Sequence, residues 1–113
     1  MILPAISIKE PWASMIAHGE KTIEVRSWKT SIRGRIVICA SKSPDGPLSG
    51  NAFAVAEIAE IRELMPEDAA QTGGFYEPGL FAWVLQNVRR CRPFPISGMP
   101  GIFKIDTTAK KRV

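Results

Sequence analysis

The chain has 113 residues, 45% of them hydrophobic, and 15 Lys and Arg against 11 Asp and Glu give it a formal charge of +4. That length suits one modest core, expected as a single domain over residues 1–106, and no apolar run approaches the ~20 residues that a membrane span requires. The opening "MILPAISIKEPW" lacks the basic segment, long apolar core and cleavage site of a secretory leader, so a cytoplasmic protein without a membrane partner is expected.

"AISI" at 5–8 is a short β-like run. Pro11 then suits a first helical turn, where its missing N–H costs nothing. Trp12, Met15 and Ile16 follow at helical spacing, and Gly19 is a natural stop. Residues 11–18 should therefore form one short amphipathic helix, packed by Trp12 and Ile16. His18, the only histidine, ends it either as an exposed residue or as an acid–base partner for the charged run beyond Gly19. One histidine supports neither a Ser–His–Asp triad nor a multi-histidine metal set.

After Gly19 the period changes to two. Ile23 and Val25 point one way, Thr22, Glu24 and Arg26 the other. "RIVICA" at 35–40 is a second strand, apolar enough for burial on both faces. Its Cys39 and the later Cys91 have no C-x-x-C or His-paired spacing, so reduced thiols and no metal site are expected. Residues 41–51, dense in Ser, Pro, Gly and Asp, read as a loop. Residues 52–64 fit helix or strand by period; Phe53, Val55, Ile58 and Ile61 favour a strand, bent or bulged near its middle. Residues 65–79 hold at most a helical turn at 66–70. A long strand follows at 80–95, ended by two prolines, then a last one at 101–106. Residues 107–113, a basic tail, are expected to fray. About six strands, one short N-terminal helix and long loops make a mainly β, mixed α+β fold, and closure into a small barrel would remove its edges.

The cations are not spread evenly. Lys21, Arg26, Lys29, Arg33, Arg35 and Lys42 fall in one region, with Arg89, Arg90 and Arg92 later. Clustered cations suit a nucleic-acid partner, because neutralising phosphates releases counterions, although a solvated basic face has the same composition. No phosphate-cradling glycine loop of the Walker or dinucleotide type occurs, and no cofactor is expected.

"GEKTIEVR" at 19–26 fits the pattern G-x-K-x-x-E-x-R at every fixed position, through Gly19, Lys21, Glu24 and Arg26. With "SIKEPWASMIAHG" before it, "RSWKTSIRGRIVICASK" after it and the closing "FPISGMPGIFKID", the chain resembles the ASCH domain family, named for homology to activating signal cointegrator 1, over about residues 5–106, and most of all the subgroup that includes the cointegrator's own C-terminal domain. The resemblance implies a PUA-like closed β-barrel with a cleft beside the helix and the motif, taking RNA or a nucleotide-like ligand. Some small ASCH proteins hydrolyse N4-acetylcytidine with a lysine and a threonine of the motif and a distant glutamate; others are reported as ribonucleases, and others only bind.

The lysine carries over to Lys21, which with Glu24 would be catalytic in an enzyme. The threonine does not carry over, because Glu24 stands in its place. A carboxylate beside Lys21 favours the ammonium and opposes a neutral-lysine mechanism. For the distant glutamate, Glu67 and Glu77 are both open. In a binding cleft, Lys21, Arg26, Lys29 and Arg33 offer charge to phosphates, and Glu24 accepts an N–H from a base edge. Gly19 shapes the turn and Trp28 is open between core and cleft. Phe75 and Tyr76 could cover the cleft, and Trp83 belongs to the core. A Glu24–Arg26 ion pair that only orders the strand is the structural alternative, and a protein-interaction module without chemistry is a third reading. Lys21 and Glu24 converge only if Lys21 lies in the turn before the strand.

Overall fold

The computed structural model describes residues 1–107. It contains strands β1 (Ile2–Ile8), β2 (Ile23–Arg26), β3 (Gly34–Ala40), β4 (Asn51–Glu63), β5 (Phe81–Pro95) and β6 (Ile102–Asp106), with helix α1 (Trp12–Ala17) after β1. A 3₁₀ turn, Pro66–Asp68, leads into a four-residue helix, α2 (Ala69–Thr72), where the sequence promised a single helical turn. Of the tail expected to fray, residues 108–113 lie outside the described residues.

The strands form one sheet in the order β2-β5-β4-β3-β1-β6. Only β1 and β3 run parallel. A parallel pair needs a crossover, and here α1 and β2 supply it, with β2 laid on the far end of the sheet against β5. The barrel is therefore not closed by hydrogen bonds, since β2 and β6 end the sheet without pairing. It is nonetheless strongly curled. Arg26, at the end of β2, reaches the Ser7 carbonyl of β1 through a 2.8 Å hydrogen bond. A side chain thus spans the side that a backbone ladder would otherwise seal.

The curl follows from the pairing of β4 with β5. The register slips at three places, between Ala52 and Ala54, Val55 and Glu57, and Ile58 and Glu60. At the second, Asn87 takes up the extra residue with φ of +51° and donates through Nδ2 to Glu57. Bulges bend and twist a strand pair, and they also scramble its alternation, which is why residues 52–64 show no clean period. β3 is buried on both faces as its composition demands. Ile36, Ile38 and Ala40 enter the main core with Phe53, Ile58 and Trp83. Val37 and Cys39 enter a second cluster with Ala5, Ala52, Phe103 and Ile105. Both cysteines are free, and burial pushes the Cys39 thiol up to about 12, so it stays protonated at neutral pH.

Candidate functional site

The site begins with a turn. Gly19 follows the helix cap at a φ of +79°, a left-handed conformation that costs glycine little. The N–H groups of Glu20 and Lys21 then both donate to the Met15 carbonyl, at 2.8 and 3.2 Å. The strand starts only at Ile23, so Lys21 lies in the turn and its side chain folds toward Glu24. The ammonium comes within 3.6 Å of Glu24 Oε1. Convergence of the two thus depends on the turn, as their spacing requires.

Lys21 is 3% exposed and Glu24 8%. Burying an ammonium is unfavourable unless its three donors find acceptors. Here Nζ donates to the Ile23 carbonyl at 2.7 Å and the Thr72 carbonyl at 2.9 Å, and Glu24 adds a charge partner rather than a third hydrogen bond. Burial lowers the Lys21 pKa; the Glu24 carboxylate opposes the shift, and the Arg26 charge reinforces it. Glu24 therefore does not set the direction of that shift, contrary to the expectation from its charge alone. With the two carbonyls it nonetheless surrounds the ammonium with negative partial and full charge. Glu24 Oε2 in turn accepts from Arg26 Nε at 3.0 Å and lies 2.8 Å from Nη2. The trio is one buried network carrying one net positive charge.

A second layer holds the first. Asp68 accepts from both terminal nitrogens of Arg62, at 2.7 and 2.9 Å, and from the Met65 N–H at 2.8 Å. This fastens the end of β4 to the start of the 3₁₀ turn and places Thr72 over Lys21. The Arg62 guanidinium and the Met65 N–H hold the Asp68 carboxyl down at about 2. The Thr72 hydroxyl then bonds both the carbonyl and the N–H of Phe75, at 2.6 and 2.8 Å. On the other side, Glu10 accepts from Ser14 N–H, Ser14 Oγ and the Leu48 N–H, tying α1 to the 41–50 loop. Burial pushes the Glu10 carboxyl up, but these hydrogen bonds outweigh it and leave the pKa below the ordinary value.

Between these layers lies a cavity of about 330 Å³ at the open side of the sheet. Its floor is Lys21, Glu24 and Arg26, its sides include Ser7 and Ser41, and its walls include Trp12 and Phe75. The two rings are 39% and 40% exposed. A volume of this size falls at the lower end of that found for small-molecule sites.

The other sequence candidates lie elsewhere. Trp28 packs on the core, edge to face with Trp83 at 4.9 Å, and its carbonyl accepts from Trp83 Nε1. Lys29 sits over the Phe81 ring at 5.3 Å, and Arg33 turns back onto the Thr30 and Ile32 carbonyls. None of the three lines the cavity, nor do His18, Glu67 or Glu77. Trp12, expected to pack the helix, is instead a cavity wall; Ala13 and Ile16 carry the packing. Thr72 and Asp68 were not singled out by the sequence. The "PED" run after Met65, a proline-opened turn with an acidic third residue, was the only local signal for them.

Comparison with known proteins adds lineage to this geometry. The model of the ASCH domain matches residues 6–95. Activating signal cointegrator 1 from Homo sapiens and from Mus musculus are each 43% identical over 42 residues. That segment is 37% of this chain and 7% of either relative, so the match spans a small part of the relatives' length. In fold, the chain is similar to crystal structures of ASCH from Zymomonas mobilis. The TM-score is 0.65 over 96% of this chain and 91% of that one. For a point mutant of the same protein it is 0.69, over 96% and 94%. Sequence identity is 16% in both, which establishes a shared fold and nothing finer.

Proposed function

The chain belongs to the ASCH domain family, and from that premise we propose that the cavity over Lys21, Glu24 and Arg26 binds one nucleotide of an RNA strand or a free nucleotide-like ligand. The observation that carries this reading is the pairing of two half-exposed aromatic walls with a buried acceptor in one cavity of nucleoside size. A planar base stacks on Trp12 or Phe75, and Glu24 accepts an N–H from its edge. The residual positive charge of the trio favours the attached phosphate. Stacking on an aromatic contributes ~1–3 kcal/mol per base. Trp12→Ala and Phe75→Ala should each weaken binding of a short fluorescent single-stranded RNA by roughly 5- to 160-fold. Both side chains are exposed enough for the variants to stay folded. Unaltered affinity in both variants would remove the cavity from the interface.

A hydrolase on the same cavity is the competing reading, and the lowered pKa of Lys21 is the observation in its favour. Against it stands Glu24, whose carboxylate lies 3.6 Å from the Lys21 ammonium and favours its charged form. Incubation with N4-acetylcytidine should accordingly yield no cytidine by chromatography. Release of cytidine that disappears in Lys21→Arg would decide for the enzyme.

A further inference from the structure

We propose that the site is a groove with two stations for a single strand of nucleic acid, the second station holding the sugar–phosphate backbone next to the bound base. This rests on the nucleotide-binding reading of the first cavity.

A second cavity, of about 670 Å³, adjoins the first, and Ser7, Arg26 and Ser41 line both. The two differ in chemistry. The lining of the second contains no aromatic ring and no carboxylate; it adds Lys42 and the stretch from Pro95 to Gly101. Such a surface does not stack a base, but it accepts a sugar and an anion. Together the two cavities are lined by four cations, Lys9, Lys21, Arg26 and Lys42, against one carboxylate, Glu24.

Arg26 stands where the stations meet. A guanidinium has five N–H donors. Nε and Nη2 are turned to Glu24 and the Ser7 carbonyl, and Nη1 has no hydrogen-bond partner among the described residues. That nitrogen, with Ser41 lining the same two cavities, suits the phosphate that links two nucleotides. Lys42 is exposed and forms no ion pair among the described residues, so its charge is open to the next phosphate. Gly98 packs directly on Ser7, which lines both cavities: a Cβ there would lie 2.5 Å from Ser7 Oγ and force that side chain to shift.

Calorimetric titration of the full chain tests this with two probes, uridine 5′-monophosphate and tri-uridylate, repeated with the cytidine and adenosine pairs. The trinucleotide should bind at least tenfold more tightly than its monophosphate. Lys42→Ala, a change at an exposed side chain outside the first cavity, should cut that gain several-fold and leave the monophosphate affinity as it was. Gly98→Ala should act in the same direction by displacing Ser7 between the two cavities. Equal affinity for the two probes overturns the second station while leaving the first intact, as does a gain that survives both substitutions. Failure of every monophosphate and every trinucleotide to bind removes the nucleotide reading itself and this one with it.

Discussion

Lys21 shows how much a single residue can be asked to do. Its ammonium joins the turn after α1 to β2 through the Ile23 carbonyl, to α2 through the Thr72 carbonyl, and to Glu24. Lys21→Ala removes the donor from two carbonyls and one partner from a buried carboxylate. Breaking a buried pair typically costs 3–5 kcal/mol, and because Arg26 remains beside Glu24 the loss should lie near the low end, about 3 kcal/mol. Arg33→Ala, at an exposed side chain, should change stability by less than about 1 kcal/mol. Urea unfolding of both variants checks this, and a wild-type midpoint for Lys21→Ala would sink the structural role. The consequence for function is practical. Lost RNA binding in Lys21→Ala reports on the fold as much as on the ligand, whereas Trp12→Ala and Phe75→Ala report on the cavity.

At the scale of elements, the site depends on a short segment that the sequence presents as mostly loop. The 3₁₀ turn and α2 total seven residues, too few to persist on their own helical propensity. Their position comes from Asp68, clamped by Arg62 and the Met65 N–H. The folded carboxyl titrates at about 2, below the ordinary value of 3.8. A depressed carboxylate contributes stability that is fully present above about pH 4 and is lost as pH falls toward 2. Nearly two units at 1.36 kcal/mol each correspond to on the order of 2 kcal/mol, less whatever solvent screens at the half-exposed Arg62. Asp68→Asn should therefore be less stable than wild type at pH 7, and the difference should shrink by more than half by pH 2.5. Glu10 loses stability over the same acid range, so the informative quantity is the difference between the two proteins. A difference in unfolding free energy that stays constant from pH 7 to pH 2.5 contradicts the assignment.

At the scale of the whole molecule, the formal charge of +4 overstates what the groove can offer a polyanion. Lys21 is buried, and both it and Arg26 are paired with Glu24. Two or three phosphates is the most that Arg26, Lys42 and Lys9 can neutralise. For single strands the salt slope is ~0.7 per phosphate, so affinity should fall only roughly tenfold between 50 and 200 mM salt. A slope above about 4 would place binding elsewhere, on the exposed arginines of β5, Arg89, Arg90 and Arg92. The steepness of the salt response thus separates a nucleotide pocket from a general basic face.

How much of this was legible depends on how local each cause is. The helix over 11–18 and its stop at Gly19 were readable because capping and 3.6-residue spacing are properties of neighbouring residues. Both faces of β3 were readable from its unbroken apolar run, and the motif trio was readable as a pattern, but the meeting of Lys21 with Glu24 depended on the turn that holds Lys21 ahead of the strand. The bulges of β4 and β5 were not, since an inserted residue shows only against its partner strand. Trp12, expected in the core, stands in the cavity wall, and Trp28, open between core and cleft, joins the core, for the same reason: an aromatic beside polar residues suits either until its neighbours arrive. The open side of the sheet was decided by tertiary structure alone. Hydrogen bonding of β2 to β5 and of β6 to β1 leaves no ladder between the two ends. Arg26 bridges from β2 to β1 by its side chain, and the space beside that bridge becomes the cavity. Composition and pattern determined which residues would be charged, apolar or turned; long-range pairing of strands determined which of them would meet.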